Sequence, residues 1–366
     1  MKYGIFGNYG HSNIGDEAIL RGLLSLLSDQ EVVVYTDSIS DSTFMHNMTL
    51  KESHLISFRI LKPVFNGRYY LLPMIFIYIL KNVMKSDVVL VGGGGLFNDI
   101  NKSAFIQYIL ILLFAKIMFK KTYLVGISVG PLKSRLLKSV LFFTGLCVDK
   151  IYVRDKDSLG YFSASNSFLI PDLSLGLGLD LLPTGVQSFR IAVSLMDVTK
   201  SQGAEVNEIY LKKVEGFLTQ LDKIIDGLEV DLVAMDFRRD SEVITKVHKS
   251  MVKKSVSCNV VYPNQFSKLD HVFKRSNFIL ATRLHSAVLA ILYEKPFMVI
   301  SYQEKVKNYF YSHGLSEVVL GINEFEECDL LAKFKNILSS SELPEVISNL
   351  KNNSRNKLVD LFENFK

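Results

Sequence analysis

Cysteine is scarce in this chain. Three residues, Cys147, Cys258 and Cys328, stand far apart with no CxxC and no Cys/His cluster, so neither a zinc site nor a disulfide framework is expected. No other set of spaced metal ligands is visible, and neither a metal nor an organic cofactor is expected. An apolar leader is missing as well. "MKYGIFGNYG" reaches glycine within a few residues of one lysine, which leaves no room for the h-region of a signal peptide. The reading is therefore a protein of the reducing cytoplasm. Basic residues outnumber acidic ones only 42 to 37, with no dense basic block, so no nucleic-acid partner is expected. There is no low-complexity tract and no short internal repeat.

Membrane-spanning length is also lacking. The two most apolar stretches, "YYLLPMIFIYIL" (69–80) and "AFIQYILILLFAKIMF" (104–119), fall short of the roughly 18 to 20 residues a spanning helix needs. Pro73, Gln107 and Lys116 interrupt them. Lys116, Lys120, Lys121, Lys133, Arg135 and Lys138 gather around these stretches. Two readings fit: helices packed on a sheet, or a face in peripheral contact with the inner leaflet of a membrane.

What the chain does have is rhythm. Its 366 residues, 48% hydrophobic and 22% charged, are too many for one ordinary core and suit two ordered domains. Apolar runs rich in Val, Ile and Tyr alternate with helical stretches, the βαβ pattern of parallel sheets. Strands are expected at 2–8, 31–36, 54–59, 87–93, 122–129, 150–155 and 167–170, then at 190–195, 229–236, 259–263, 278–285 and 297–302. "PDLSLGLGLDLLPTG" (171–185) reads as the crossing between halves. This gives an α/β fold of two Rossmann-like, doubly wound domains facing a cleft: residues 1–180, residues 181–342, and a C-terminal amphipathic helix at 343–366. In open parallel sheets ligands sit beyond the carboxyl ends of strands.

The reactive residues fall at such ends. "GNYGHSNIGDEAIL" follows the first strand, but Gly7, Gly10 and Gly15 do not have GxGxxG spacing, so a dinucleotide fingerprint is absent. The loop leads to Asn13, Asp16 and Glu17. These acids either complement a helix start or belong to a loop that lets a ligand approach the backbone. "VVLVGGGGLFND" places four glycines after an apolar run. Either the backbone turns sharply there, or the amides of Gly93, Gly94 and Gly95 hold phosphate or carboxylate oxygens. Asp99, five residues beyond that strand, can then face the same space as a carboxylate for hydroxyl groups. Arg154, in "YVRDKDS", stands at another strand end, where a structural ion pair is the competing explanation. In "FILATRLH" an extended backbone projects Arg283 and His285 to one side and Leu284 to the other, beside the start of helix "SAVLAILYE". That pairing suits an anion, since guanidinium offers a planar fork and imidazole a proton near neutral pH. A histidine satisfied within the core is the plainer alternative.

The ordered set "GNYGHSNIGDEAIL", "GGGGLFND", "GISVGPL", "VRDKDS", "IPDLS" and "TRLHSAVLAILYEKPFMVISY", spanning about residues 3 to 310, resembles the polysaccharide pyruvyl transferase family. The resemblance implies a GT-B-like fold and transfer of a pyruvyl group from phosphoenolpyruvate to two hydroxyls of a sugar or lipid-linked oligosaccharide, closing a cyclic ketal. By the same resemblance His285 is the general acid or the group protonating the departing phosphate, Asp99 orients or deprotonates an acceptor hydroxyl, and Arg283 and Arg154 hold the donor, with Arg238 in "DFRRD" a competitor for the last role. Two departures are Ser128 in "GISVGPL", where the family often has glycine, and residues 37–70, which carry no recognisable motif. A nucleotide-sugar glycosyltransferase of the same architecture and a non-catalytic sugar-binding relative are the alternatives.

Overall fold

The computed structural model describes residues 1–36, 38, 55–57, 72–179, 188–262, 266–363 and 365. They group into two compact units. The first holds Met1–His11, Asp16–Leu177 and Ser354–Lys366; the second holds Ser12–Gly15 and Gly178–Asn353. Most of 37–70, including the ends of the strand expected at 54–59, lies outside the described residues, as do 180–187 of the crossing segment and Pro263.

In the first unit β1 (Lys2–Phe6), β2 (Glu31–Thr36), β3 (Leu55–Ser57), β4 (Val88–Phe97), β5 (Lys121–Val129), β6 (Lys150–Val153) and β7 (Ser167–Leu169) form one sheet in the order β3-β2-β1-β4-β5-β6-β7. Every pairing is parallel. The strands read as continuous apolar runs because both faces are covered. In β4, Val89 and Val91 enter one core while Val88 and Leu90 enter the other. The first core lies under α2 (Leu72–Val83), α3 (Lys102–Ile117) and α4 (Arg135–Cys147). The second is covered by α1 (Ile14–Leu26) and by Leu358 and Phe362 from the end of the chain. A short α5 (Lys156–Leu159) follows β6.

The second unit repeats the scheme. Its strands β8 (Arg190–Ser194), β9 (Glu229–Val233), β10 (Cys258–Val261), β11 (Phe278–Ala281), β12 (Phe297–Ser301) and β13 (Val319–Gly321) run parallel in the order β10-β9-β8-β11-β12-β13. Around them lie α6 (Thr199–Gln202), α7 (Ala204–Ile224), α8 (Phe237–Lys253), α9 (Phe266–Arg275), α10 (Leu284–Leu292), α11 (Glu304–Tyr311), α12 (Glu327–Ser339) and α13 (Leu343–Glu363). Both sheets share the doubly wound Rossmann order, which reverses between β1 and β4 and between β8 and β11. Ligands of such sheets bind where the order reverses.

Three local expectations need correction. The glycines of "GGGG" do not follow a strand; β4 continues through them to Phe97, with a register shift after Gly94. Asp99 is therefore only two residues beyond the strand. The stretch 278–285 is not one strand, since β11 stops at Ala281 and α10 begins at Leu284. The three-residue β13 was not foreseen.

Gly93 and Gly94 have φ of +87° and +84°, and an added Cβ would lie 2.5 Å from the Tyr9 hydroxyl oxygen and 2.6 Å from Asp16 Oδ1, respectively. At Gly95 nothing lies within 4 Å. Gly94→Ala is therefore expected to destabilise by about 1–3 kcal/mol, and Gly95→Ala by less than about 0.5 kcal/mol. Urea unfolding midpoints check the contrast.

Candidate active site

In the first unit the loop after β1 is fastened from within. The Tyr9 hydroxyl is buried and donates to the Gly92 carbonyl at 2.9 Å; burial pushes the phenol well above its usual value. The Asn8 amide donates to Asp16 Oδ2 at 2.8 Å, and the Gly10 N–H donates to Glu17 Oε1 at 2.7 Å. Asp16 and Glu17 are both buried in the first turn of α1. Gly93 and Gly94 pack on Tyr9 and Asp16, so of the three glycines only Gly95 borders open space.

Asp99 is braced by backbone. Its Oδ2 accepts the N–H of Ser134 at 3.3 Å and that of Lys133, and its own N–H donates to the Pro131 carbonyl at 3.1 Å. These bonds fix the turn between β5 and α4. The other oxygen, Oδ1, is buried and has no hydrogen-bond partner among the described residues.

Arg154 has a different setting. Its side chain is 6% exposed and its Nη1 lies 2.6 Å from Oδ2 of the fully buried Asp172. Its Nε donates to Ser128 Oγ at 2.9 Å, and that hydroxyl donates in turn to Asp155. Asp155 caps α5 by accepting from Ser158, and Asp172 accepts from the Ser174 N–H and hydroxyl. Thus "GISVGPL", "VRDKDS" and "IPDLS" converge on one buried polar network. Ser128, the departure from a glycine pattern, is its central hydroxyl.

In the second unit the segment Ser12–Gly15 docks beyond β9. Asn13 forms an antiparallel bridge with Asp236, the Ile14 N–H donates to the Met235 carbonyl at 2.9 Å, and the Phe237 N–H donates to the Ser12 carbonyl at 3.3 Å. The Asn13 side chain accepts the Gly15 N–H at 3.1 Å. Gly15 lies against the imidazole of His285: a Cβ at residue 15 would come within 2.3 Å of Nδ1. Glycine is required there by a ring, since its own φ is unremarkable.

Arg283 is the N-cap of α10 and His285 lies in the first turn. The helix has no side-chain cap, and the Ser286 N–H donates to the Arg283 carbonyl at 3.1 Å. His285 is half-buried. The Arg283 fork grips Asp240: Nε lies 3.2 Å from Oδ2 and Nη2 2.5 Å from Oδ1, with Asp236 Oδ2 4.0 Å away. Burial disfavours the charge on Arg283, but Asp240 more than reverses this and holds the guanidinium above its ordinary value. Burial in turn pushes the Asp240 carboxyl upward, with Arg283 pulling against it. Arg283 Nη1 makes no hydrogen bond among the described residues. Ser194, at the end of β8, and Ser286, in the first turn of α10, add buried hydroxyls with no partner there. Arg238, by contrast, is exposed on α8, its N–H bonded to Asp236 Oδ1 at 3.2 Å.

The second reversal point thus gathers Asn13, Arg283 and His285 from distant segments. A family model described as polysaccharide pyruvyl transferase matches residues 13–304. The chain belongs to the polysaccharide pyruvyl transferase family. It is similar to the amylovoran biosynthesis protein AmsJ of Erwinia amylovora, 22% identical over 390 residues that cover 93% of each chain. Among solved structures it resembles the Neisseria meningitidis UDP-GlcNAc 2-epimerase bound to UDP-GlcNAc, with a TM-score of 0.62, 13% identity and coverage of 100% of this chain and 99% of that one. Anabaena HepE in complex with UDP and glucose gives 0.63 at 12% identity, covering 99% and 97%. At such identities the likeness shows the GT-B fold alone.

As a member of the pyruvyl transferase family the chain is a transferase of polysaccharide biosynthesis with a sugar or polysaccharide acceptor. Among the described residues no group of three His, Cys, Asp or Glu is placed to hold a metal, and no helix is long and apolar enough to cross a membrane. Sequence reasoning missed Asp236 and Asp240, one helical turn apart in "DFRRD", because attention fell on the arginine between them. Their spacing puts two carboxylates on one face of α8, and that was the available signal.

The Arg154 network makes a stability prediction. Arg154→Met strands a buried carboxylate and is expected to destabilise by about 3–5 kcal/mol. Arg154→Met/Asp172→Asn removes that charge while keeping the Ser174 cap, and should recover most of the loss in urea unfolding.

Proposed function

We propose that this protein transfers the pyruvyl group of phosphoenolpyruvate to two hydroxyls of one sugar, forming a cyclic ketal on a polysaccharide or its lipid-linked precursor. Phosphoenolpyruvate is an intracellular metabolite, so the reaction belongs in the cytoplasm. The observation that carries the reading is Arg283, gripped by Asp240 with Nη1 left over, beside His285 at an uncapped helix start, in a chain of this family.

The donor carries a carboxylate and a phosphate. Arg283 Nη1 is a donor suited to one of these groups, oriented by Asp240 before the ligand arrives. Protonated His285 delivers its proton to C3 of the donor, leaving oxocarbenium character at C2. One sugar hydroxyl adds to C2 and loses its proton. The C2–O bond to phosphate then breaks, phosphate leaves with the electron pair, and the second hydroxyl closes the ring and loses its proton. The products are a ketal and inorganic phosphate. Asp99, whose Oδ1 has no hydrogen-bond partner among the described residues, is assigned the acceptor hydroxyl. Asp16, Gly93 and Gly94 support the loop, while Gly95 is the glycine that borders open space. Arg154 is assigned to the fold rather than to the donor, because Asp172 and Ser128 already take up its guanidinium.

Phosphate release from phosphoenolpyruvate, measured with a panel of synthetic glycosides and followed by mass analysis for the added pyruvyl group, tests the reaction. His285→Ala is expected to lower the rate about 100- to 10,000-fold with little change in thermal midpoint. Gly15→Ala should approach the same loss by displacing the ring. Thermal stabilisation by nucleotide sugars and not by phosphoenolpyruvate, with no pyruvylated product, would sink this reading.

A further inference from the structure

The first unit carries a surface that the transfer reaction does not use. Between residues 72 and 148 the chain has nine Lys and Arg against two acids, Asp87 and Asp99. That surplus of seven exceeds the whole chain's net charge of +5, so everything outside this stretch is net acidic. Neither acid answers the surplus. Asp87 accepts the Lys2 N–H at 2.9 Å and Asp99 accepts backbone amides. Lys116 is paired, 2.9 Å from Asp149. Lys133 and Arg135 have no ion-pair partner among the described residues.

The same stretch exposes large apolar side chains. α2, α3 and α4 form one layer over one face of the sheet, sharing a single core, and Phe76 of α2 meets Phe114 of α3 edge-on at 5.4 Å. On this layer Ile77 is 65% exposed, Ile117 68% and Phe143 65%, and Phe119, in the turn that follows α3, is 96% exposed. Exposed apolar residues singly need no explanation. Here they recur on three adjacent helices, interleaved with exposed Lys81, Lys85, Arg135 and Lys138.

We propose that the α2–α3–α4 face docks on an anionic lipid bilayer, with Phe119 and Phe143 entering the interface and the lysines and arginines lying at the level of the headgroups. Apolar side chains ringed by basic ones are what such a surface binds. The helices fall short of crossing a membrane, so the protein lies on the bilayer. A second copy is a poor occupant, because pairing two such faces brings two uncompensated basic rims together. The proposal rests on charge and exposure in the first unit and holds or fails independently of the pyruvyl chemistry.

Flotation of the full chain with vesicles decides it. Binding is expected to vesicles of phosphatidylcholine mixed with phosphatidylglycerol, to be weak on phosphatidylcholine alone, and to decline as salt rises. Phe119→Ser/Phe143→Ser and Arg135→Glu/Lys138→Glu should each weaken binding by about 10-fold or more, with unchanged circular dichroism and thermal midpoint showing that both variants fold. No binding to anionic vesicles, equal binding to neutral ones, or a stable dimer that Phe119→Ser/Phe143→Ser dissolves would each overturn the proposal.

Discussion

Burial on both faces of a parallel sheet is the constraint from which the rest of this molecule follows. Every strand that must satisfy two apolar layers has little room for chemistry along its length, so polar residues are driven to its ends. The strand interiors comply: Val88, Leu90, Val89 and Val91 feed two cores alternately. Polar side chains gather where each sheet reverses its order, because there the connections diverge to opposite faces and leave the strand ends uncovered. Tyr9, Asp16 and the glycines of β4 gather at one such point, and Asp240, Arg283 and His285 at the other.

Both units bury charge at strand ends, and they do so differently. Arg154 is enclosed by Asp172 and Ser128, and its carboxylate partner is itself tied to a local cap. Such a pair fixes geometry more than it adds stability. Arg283 is gripped through one edge only, which holds the guanidinium plane still while leaving Nη1 without a hydrogen-bond partner among the described residues. An arginine that is oriented in advance loses less freedom when an anion arrives. Residue type alone did not distinguish the two. The neighbouring carboxylates, brought in from other segments, set the difference.

The strands were legible because apolar runs bounded by turn residues have few other uses, and the family motifs pointed to the residues that lie at strand ends. The misreadings have physical causes. Glycine usually breaks strands, yet Gly92 and Gly94 of β4 keep their register with Val125 and Ile127, because β5 lies close enough to hold the backbone despite its positive φ. The start of α10 was hidden because Arg283 stands where Ser, Thr, Asp or Asn normally marks a helix N-terminus. The strand Val319–Gly321 is too short to show any period. The docking of Ser12–Gly15 against Met235 and Asp236 joins positions more than 200 residues apart in the sequence, which no local pattern encodes.

The end of the chain has a bearing on how the protein is made. Leu358 and Phe362 lie in the core of the first unit, Phe365 packs against Tyr123 and Tyr152, and the Tyr3 hydroxyl donates to the Phe365 carbonyl at 2.9 Å. During synthesis the amino-terminal half emerges early, yet the part of its second core that Leu358, Phe362 and Phe365 close stays open beside α1 until those residues have left the ribosome. The first unit thus closes only after the second has been made, and its apolar flank must wait, shielded or at risk, through the translation of everything between.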